Sequence, residues 1–489
     1  MRFLLFILIL VCSIVSIGQV RFNINLPIST DTLMDAGIKV IETHDGKFVS
    51  CGVSNHPFIN YRSAYIVKTD SLGNLIWKKQ FNFSAPTTFS NNGTDMFRDV
   101  VELPDSNYLL LGITTNTVTN DDDVFLCKLD TAGNLLWFKK YMYPDDDESN
   151  SFKLSPDGKV IIVGYSFTTG YSDVLLMKTD LDGNLIWRKT FGNAYDEVYE
   201  SIDIIKNNTE YILGGRYGYY NTGNPYYDFS VMRTDTAGNE LWQQQYGTAI
   251  DEAAKGGTAT LDSGYVLCGT YNGQGAIIKI DKEGTWLWYK NFALEPNSII
   301  AQVKQLRDSS FAMITSDIDW ANTNRTGYLI KADKNGNMLW KRVYPHPPST
   351  PNTGNYFYGF NTTVDKGFVM TGEYAHIGQP YQNMWLVKTD SLGCDSVTCS
   401  YLVTGMEDLS YLNKVVRVSP NPSDGLLTIN SESNFTKVEL LSITGQVLLS
   451  ETVDTKTHQL QLQNYAEGLY FVRVVYSNGL STVKKVVKQ

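Results

Sequence analysis

The sequence predicts an all-β molecule: a seven-bladed β-propeller followed by a small Ig-like β-sandwich. Three observations predict it. A ten-residue phrase recurs along the chain at a period of roughly fifty residues, the signature of a radial or linear β-repeat. Short apolar runs flank each copy, bounded by Gly, Asn and Asp. From residue 414 onward the phrase disappears and a different series of short alternating strands begins.

The phrase runs from Lys68 through Asp70, Gly73 and Asn74 to Trp77. It returns at Lys128 to Trp137, Lys178 to Trp187, Arg233 to Trp242, Lys279 to Trp288 and Lys331 to Trp340. A seventh copy starts at Lys388 and breaks off after Gly393, before any Trp. Asp followed by Gly is turn chemistry: glycine takes positive φ without a clash, and the Asp carboxylate accepts bonds from the turn's own amides. Each copy therefore predicts a tight hairpin joining two strands. Upstream of each lies another hairpin signal, such as Asp45-Gly46, Asp157-Gly158 or Asp365 with Gly367. Two hairpins make a four-stranded meander, which must bury its faces against neighbouring blades. The recurrent Trp supplies a large apolar surface for that contact. The recurrent Lys or Arg predicts an ion pair with a blade acid. The seventh copy lacks an outer strand, and residues 20–26 have strand character. They are expected to complete blade seven and close the ring, with Phe22 in the Trp position.

The phrase resembles the tryptophan-docking repeat of quinoprotein-like propellers, with a turn one residue shorter. It also resembles the Asp-box of sialidases, with a longer Asp-to-Trp spacing. Both are packing devices and carry no chemistry across.

Residues 1–18 read as a secretory signal: Arg2, an apolar run, then small residues before Gln19. No other segment has the length of a membrane-spanning helix. A net charge of −10 argues against nucleic-acid binding. Cys51, Cys127 and Cys268 are expected as buried thiols, and Cys394 with Cys399 as a pair close enough to bridge.

The tail reads Pro420-Asn421-Pro422-Ser423, then Thr444-Gly445-Gln446, then Gly468-Leu469-Tyr470-Phe471, and ends in a basic cluster with Lys485 and Lys488. That ordered set resembles the type A C-terminal sorting domain of the Bacteroidetes type IX secretion system. The resemblance implies handling by that machinery: export through the periplasm, then passage to the outer-membrane surface or the medium. The expected organisation is a signal peptide over 1–18, a propeller over 19–400, a linker over 401–413 and the sorting domain over 414–489.

Length variation concentrates in the loops of one propeller face, where function usually resides. Tyr61, Tyr219, Tyr220, Tyr226, Tyr227, Trp320, Tyr374, His376 and Tyr381 lie in or beside those loops and are candidates for stacking on a glycan or protein ligand. Asp121-Asp122-Asp123 and Asp145-Asp146-Asp147 fall on the same face in adjacent blades, and such carboxylates suit Ca²⁺. No other cofactor is expected. The chain has no nucleophile elbow, zinc-protease helix or phosphate loop. The sequence thus favours a non-enzymatic binding scaffold. The alternative is an extracellular glycosidase using two of the many carboxylates.

Overall fold

The structure, a computed structural model, describes residues 19–26, 34–55, 62–84, 94–115, 121–168, 170–192, 195–205, 209–221, 224–247, 252–292, 298–317, 327–344, 353–376, 382–396, 402–403, 416–443, 446–476 and 481–489. The expected signal over 1–18 lies outside them. Every helix or strand element among the described residues is a strand.

The repeat builds four-stranded antiparallel sheets. The first consists of β2 (Met34–Glu42), β3 (Phe48–Asn55), β4 (Arg62–Thr69) and β5 (Leu75–Phe81). The same meander returns as β6–β9 (95–141), β10–β13 (146–191), β14–β17 (197–246), β18–β21 (253–291) and β22–β25 (298–344). The middle strands read as unbroken apolar runs because both of their faces are covered: all of β7 (Tyr108–Thr115) is buried. The outermost strands alternate, and Leu75, Ile76 and Lys78 of β5 reach solvent.

The final sheet takes three strands from the C-terminal side, β26 (Thr353–Thr362), β27 (Phe368–His376) and β28 (Gln382–Thr389). Its fourth strand is β1 (Phe22–Leu26), which pairs antiparallel with β28 and places Phe22 opposite Lys388. In the first sheet Lys68 faces Trp77, and in the third Lys178 faces Trp187, so Phe22 does occupy the Trp position.

Buried apolar clusters stitch each sheet to the next. One joins Val49 and Ile66 to Phe97 and Leu110, and another joins Leu109 and Leu126 to Val160 and Leu175. The series ends where Val369, Met384 and Leu386 of the last sheet meet Val40, Tyr65 and Val67 of the first, with Phe22 and Leu26 among them. Sheets packed face to face in sequence, the last against the first, form a β-propeller.

Residues 402–403, inside the segment expected as linker, form β29 on the outer edge of β25 (Met338–Tyr344). The tail then forms one hydrogen-bonded network of β30 (Arg417–Ser419), β31 (Leu426–Leu441), β32 (Val447–Gln461), β33 (Gly468–Tyr476) and β34 (Ser481–Lys488). It has its own core, with Leu427, Phe435, Leu440, Val472 and Val486 among its buried residues. Cys51, Cys127 and Cys268 are buried free thiols, and Cys394 is disulfide-bonded. Its expected partner, Cys399, lies outside the described residues.

Candidate functional site

The repeated Lys and Asp positions have structural tasks. Asp70 Oδ1 accepts from the backbone N–H of Leu72 and of Asn74, both at 2.8 Å, and its twin Asp180 does the same for Asp182 and Asn184. Lys128, Lys178 and Lys388 pair with hairpin acids Asp105, Asp157 and Asp365 at 2.7, 2.8 and 2.9 Å. Arg233 pairs with Glu210 at the equivalent place. The expected ion pair with a blade acid is thus present, and these groups are committed to the scaffold.

The candidate aromatics separate into three groups. Strands β15 (Glu210–Asn221) and β16 (Asn224–Asp235) are longer than their neighbours. Gly218 still donates to the Asp196 carbonyl and Tyr227 still accepts from the Glu252 N–H, at 2.6 and 2.7 Å; beyond them the two strands pair with each other, and their ends form a two-stranded ribbon. Period-two alternation puts Tyr217 and Tyr219 on one side, and the register sets Tyr226 opposite Tyr219. The Tyr219 and Tyr226 rings stack at 5.1 Å, Tyr217 lies 4.8 Å from Tyr219, and Tyr195 joins both at 5.6 and 5.8 Å. Burial pushes the Tyr219 hydroxyl up to about 12. Tyr227 faces the other side, under the Arg216 guanidinium at 5.1 Å. Tyr374 is buried in the core shared by the last two sheets. Sequence reasoning grouped these residues by loop and missed that strand register divides them. Tyr220 and His376 are placed by their backbone alone, on β15 and β27. Tyr61, Trp320 and Tyr381 lie outside the described residues.

The two aspartate runs do meet: the Asp122 N–H donates to Asp146 Oδ1 at 2.6 Å. Their carboxylates then turn to different partners. Asp122 accepts from Thr115 Oγ1 at 2.6 Å, Asp123 pairs with Lys140 at 2.7 Å, and Arg188 takes Asp147 at 2.8 Å and Asp145 at 3.6 Å. Asp121 flanks them, half-buried. Burial holds Asp122, Asp146 and Asp147 above the usual carboxylate range. Among the described residues no group of three or more acidic, His or Cys side chains is placed to hold a metal ion.

A carboxyl pair lies beneath the tyrosine ribbon. Asp228 is hydrogen-bonded to the fully buried Glu252, and burial with that neighbour raises Asp228 to about 7. Two carboxyls in direct contact are closer than the separations of about 5 Å or more that glycosidases use.

An axial cavity of about 820 Å³ is walled by the first strand of every propeller sheet. Each of those strands carries a β-bulge at the same place, between Gly37 and Lys39 in β2 and between Tyr199 and Ser201 in β14 (Glu197–Ile205), for example. The extra residue is unpaired and is aimed at the axis. Ile38, Arg98, Asn150, Glu200, Lys255 and Tyr358 therefore ring the cavity at one level. A further level, nearer the uniform hairpins, holds Lys153, Asp203, Thr258, Lys304 and Asn361. Sequence reasoning missed this lining. Its signal is the polar residue on both sides of Phe152, Ile202 and Val303, in three of the repeats.

Within the tail, the Pro-Asn-Pro motif clasps the terminal strand. Asn421 Nδ2 donates to the Lys485 carbonyl at 2.8 Å, and Asn421 Oδ1 accepts from the Val487 N–H at 2.9 Å. Pro420 and Pro422 flank that clasp. Tyr470 Oη donates to the Ala466 carbonyl at 2.8 Å, and Phe471 pairs with Lys485 across β33 and β34. Gly468 pairs with Lys488, whose ammonium also reaches the Gln463 and Tyr465 carbonyls. The motif residues thus tie the first and last parts of this unit together. Gly445 lies outside the described residues. Residues 417–489 match the family model described as the secretion system C-terminal sorting domain. The chain carries a secretion sorting domain. No curated protein matches the chain.

Among solved structures, it is similar to PorZ, described as an essential bacterial surface component of the type-IX secretion system of Porphyromonas gingivalis. Identity is 12%, the TM-score 0.47, and the match covers 95% of this chain and 61% of that one. A puromycin hydrolase matches at 11% identity and TM-score 0.45, over 92% of this chain and 58% of the other. The propeller domain of a Pyrococcus furiosus protease matches at 12% and 0.41, over 76% of this chain and all of that domain. The chain thus spans about three fifths of the first two proteins. At such identities and scores these likenesses say nothing about activity.

Proposed function

We propose that this chain is a cargo of type IX secretion: a seven-bladed propeller over 19–400 that binds a glycan or a protein ligand without catalysis, at the cell surface or in the medium. The signal over 1–18 would take it into the periplasm. The tail over 414–489, folded as an Ig-like sandwich after a linker over 401–413, would direct it across the outer membrane.

The observation that carries the binding reading is the projecting ribbon with Tyr195, Tyr217, Tyr219 and Tyr226 gathered at its base. Aromatic rings offer stacking area with little side-chain entropy to lose, and their hydroxyls supply hydrogen bonds. Against the hydrolase alternative stands the contact between Asp228 and Glu252, too short for a glycosidase pair. The test is a glycan and protein array probed with the secreted protein, then with a Tyr219→Ala/Tyr226→Ala variant. Loss of at least tenfold in affinity for the captured ligand is expected. Turnover of that ligand by the parent protein would replace the binding reading with the hydrolase one. For Ca²⁺ on the two aspartate runs, calorimetry and a melting shift are the corresponding measurements.

A further inference from the structure

The axial cavity has an unbalanced charge. Five cations reach its wall, and four of them have a carboxylate partner: Lys39 with Asp99 at 3.8 Å, Arg98 with Glu148 at 2.8 Å, Lys153 with Asp203 at 3.5 Å, and Lys255 with Glu200 at 3.9 Å. The fifth, Lys304 near the end of β22 (Ser298–Gln305), has no carboxylate partner among the described residues. Its ammonium meets Asn361 Oδ1 at 2.8 Å. The nearby acids are already engaged. Asp203 Oδ2 accepts from the Ala259 N–H at 2.9 Å, and Asp99 Oδ2 accepts from Ser151 Oγ at 3.0 Å.

The wall is built rather than incidental. Lys153, Asp203, Thr258, Lys304 and Asn361 occupy corresponding positions on successive inner strands, and each strand is locked into its sheet on one side. Asn361 Oδ1 is used by Lys304 and by the Thr362 N–H, which leaves its amide NH₂ as a donor. An ammonium in a protein-walled cavity, beside two other ammoniums, favours the arrival of negative charge.

We propose that the end of the axial cavity bounded by Lys153, Lys304 and Asn361 is a binding site for a small oxyanion, a carboxylate, phosphate or sulfate group carried on a molecule small enough to enter. The site is separate from the tyrosine ribbon and does not depend on it. Burial first, then Lys153 and Lys39, push the Lys304 amine down to about 7, while Asp203 and Asp99 oppose this more weakly. The Lys255–Glu200 pair faces the same axis from the neighbouring strands. An anion therefore favours the charged form of Lys304, and binding at pH 8 draws up to one proton from the buffer.

The test is titration calorimetry on the secreted full protein with inorganic phosphate and with glucuronate, and with glucose as the neutral control. Two buffers of different ionisation heat are used at pH 6 and pH 8. Binding of at least one anion, weaker at pH 8 and with proton uptake there, is expected; the stronger arm says whether the anion belongs to a sugar acid or to free phosphate. Lys304→Met should lose at least tenfold in affinity. Lys304→Arg should keep binding but lose the proton uptake, because a guanidinium stays charged. Asp203→Asn, which removes a competing acid, should tighten binding at least threefold. The proposal is overturned if neither anion binds, if glucose binds as well as glucuronate, or if a folded Lys304→Met protein binds like the parent.

Discussion

Each glycine of the repeated turn serves two sheets at once. Gly238 holds φ at +73°, and a β-carbon added there would come within 2.6 Å of the Trp187 ring of the preceding sheet. Gly133 sits in the same way under Trp77, whose Nε1 donates to the Thr131 carbonyl at 3.2 Å in that same turn. Gly73 meets Ile24 and Phe22 of the last sheet instead, and Gly284 meets Gln244. Gly238→Ala should therefore cost about 1–3 kcal/mol, from left-handed strain plus a displaced indole, read as a lowered midpoint in urea. A second prediction at this scale concerns pH. Asp228 and Glu197 are raised to about 7 and Asp35 to about 6, each chiefly by burial. A carboxyl raised in the fold holds its proton more tightly there than in the unfolded chain. Its contribution is complete below about pH 4 and is lost as pH climbs towards 7. Asp45, lowered to about 2, acts in the opposite sense and only in more acid solution. Asp228→Asn should melt on the order of 2 °C above the parent at pH 7.5 and level with it at pH 4.5. A calorimetric scan giving the reverse order would contradict the assigned protonation.

At the scale of the element, β1 is the piece on which closure turns. Asn23 Oδ1 accepts from the buried Trp385 Nε1 at 2.7 Å, and Phe22 packs edge-on to Phe48 of the first sheet at 5.7 Å. Phe22→Ala should cost about 3 kcal/mol. Removing residues 20–26 should expose β28 and make the last sheet the first to yield to limited proteolysis; uniform resistance after that deletion would show that the strand is dispensable. This closure was legible in the sequence because it follows from counting: seven turns, six of them completed by a Trp, and one spare strand at the other end. The hairpins and their ion pairs were legible for the same reason, being local and repeated. The cavity lining was not. Its identity changes from strand to strand, Lys153 here and Asp203 there, and a single bulge residue shifts the alternation. The fate of the aspartate runs was hidden too, since Arg188, which claims Asp145 and Asp147, stands three strands further along. The tyrosines were visible as a composition but not as a surface, because one residue of register decides whether Tyr226 or Tyr227 meets Tyr219.

For the whole molecule, two cores are separately complete. The tail buries Leu427, Phe435 and Val486 among its own strands, and among the described residues the propeller clusters draw on none beyond 387. A chain ending after Val403, which retains the edge strand on β25, should keep its β content and its melting transition. In a host with the secretion machinery it should accumulate in the periplasm. Residues 414–489 fused to an unrelated exported protein should carry it outward. Normal surface or medium levels of the truncated chain would show that the tail is not the export determinant and acts as a second binding module.

The register of Phe22 with Lys388 sets a long wait. A chain delivered N-terminus first presents β1 hundreds of residues before its partner β28 has emerged. Until then β1 is a short unpaired ribbon, Asn23 has no indole to meet, and the first sheet shows a bare flank where Val40 and Tyr65 await Val369 and Leu386. A contact of such high sequence separation is slow to form, and exposed strand edges invite mispairing in the interval. Nascent molecules should therefore lean on holdase chaperones until the last sheet arrives, and chains stalled before residue 382 should aggregate or be degraded while full-length ones persist.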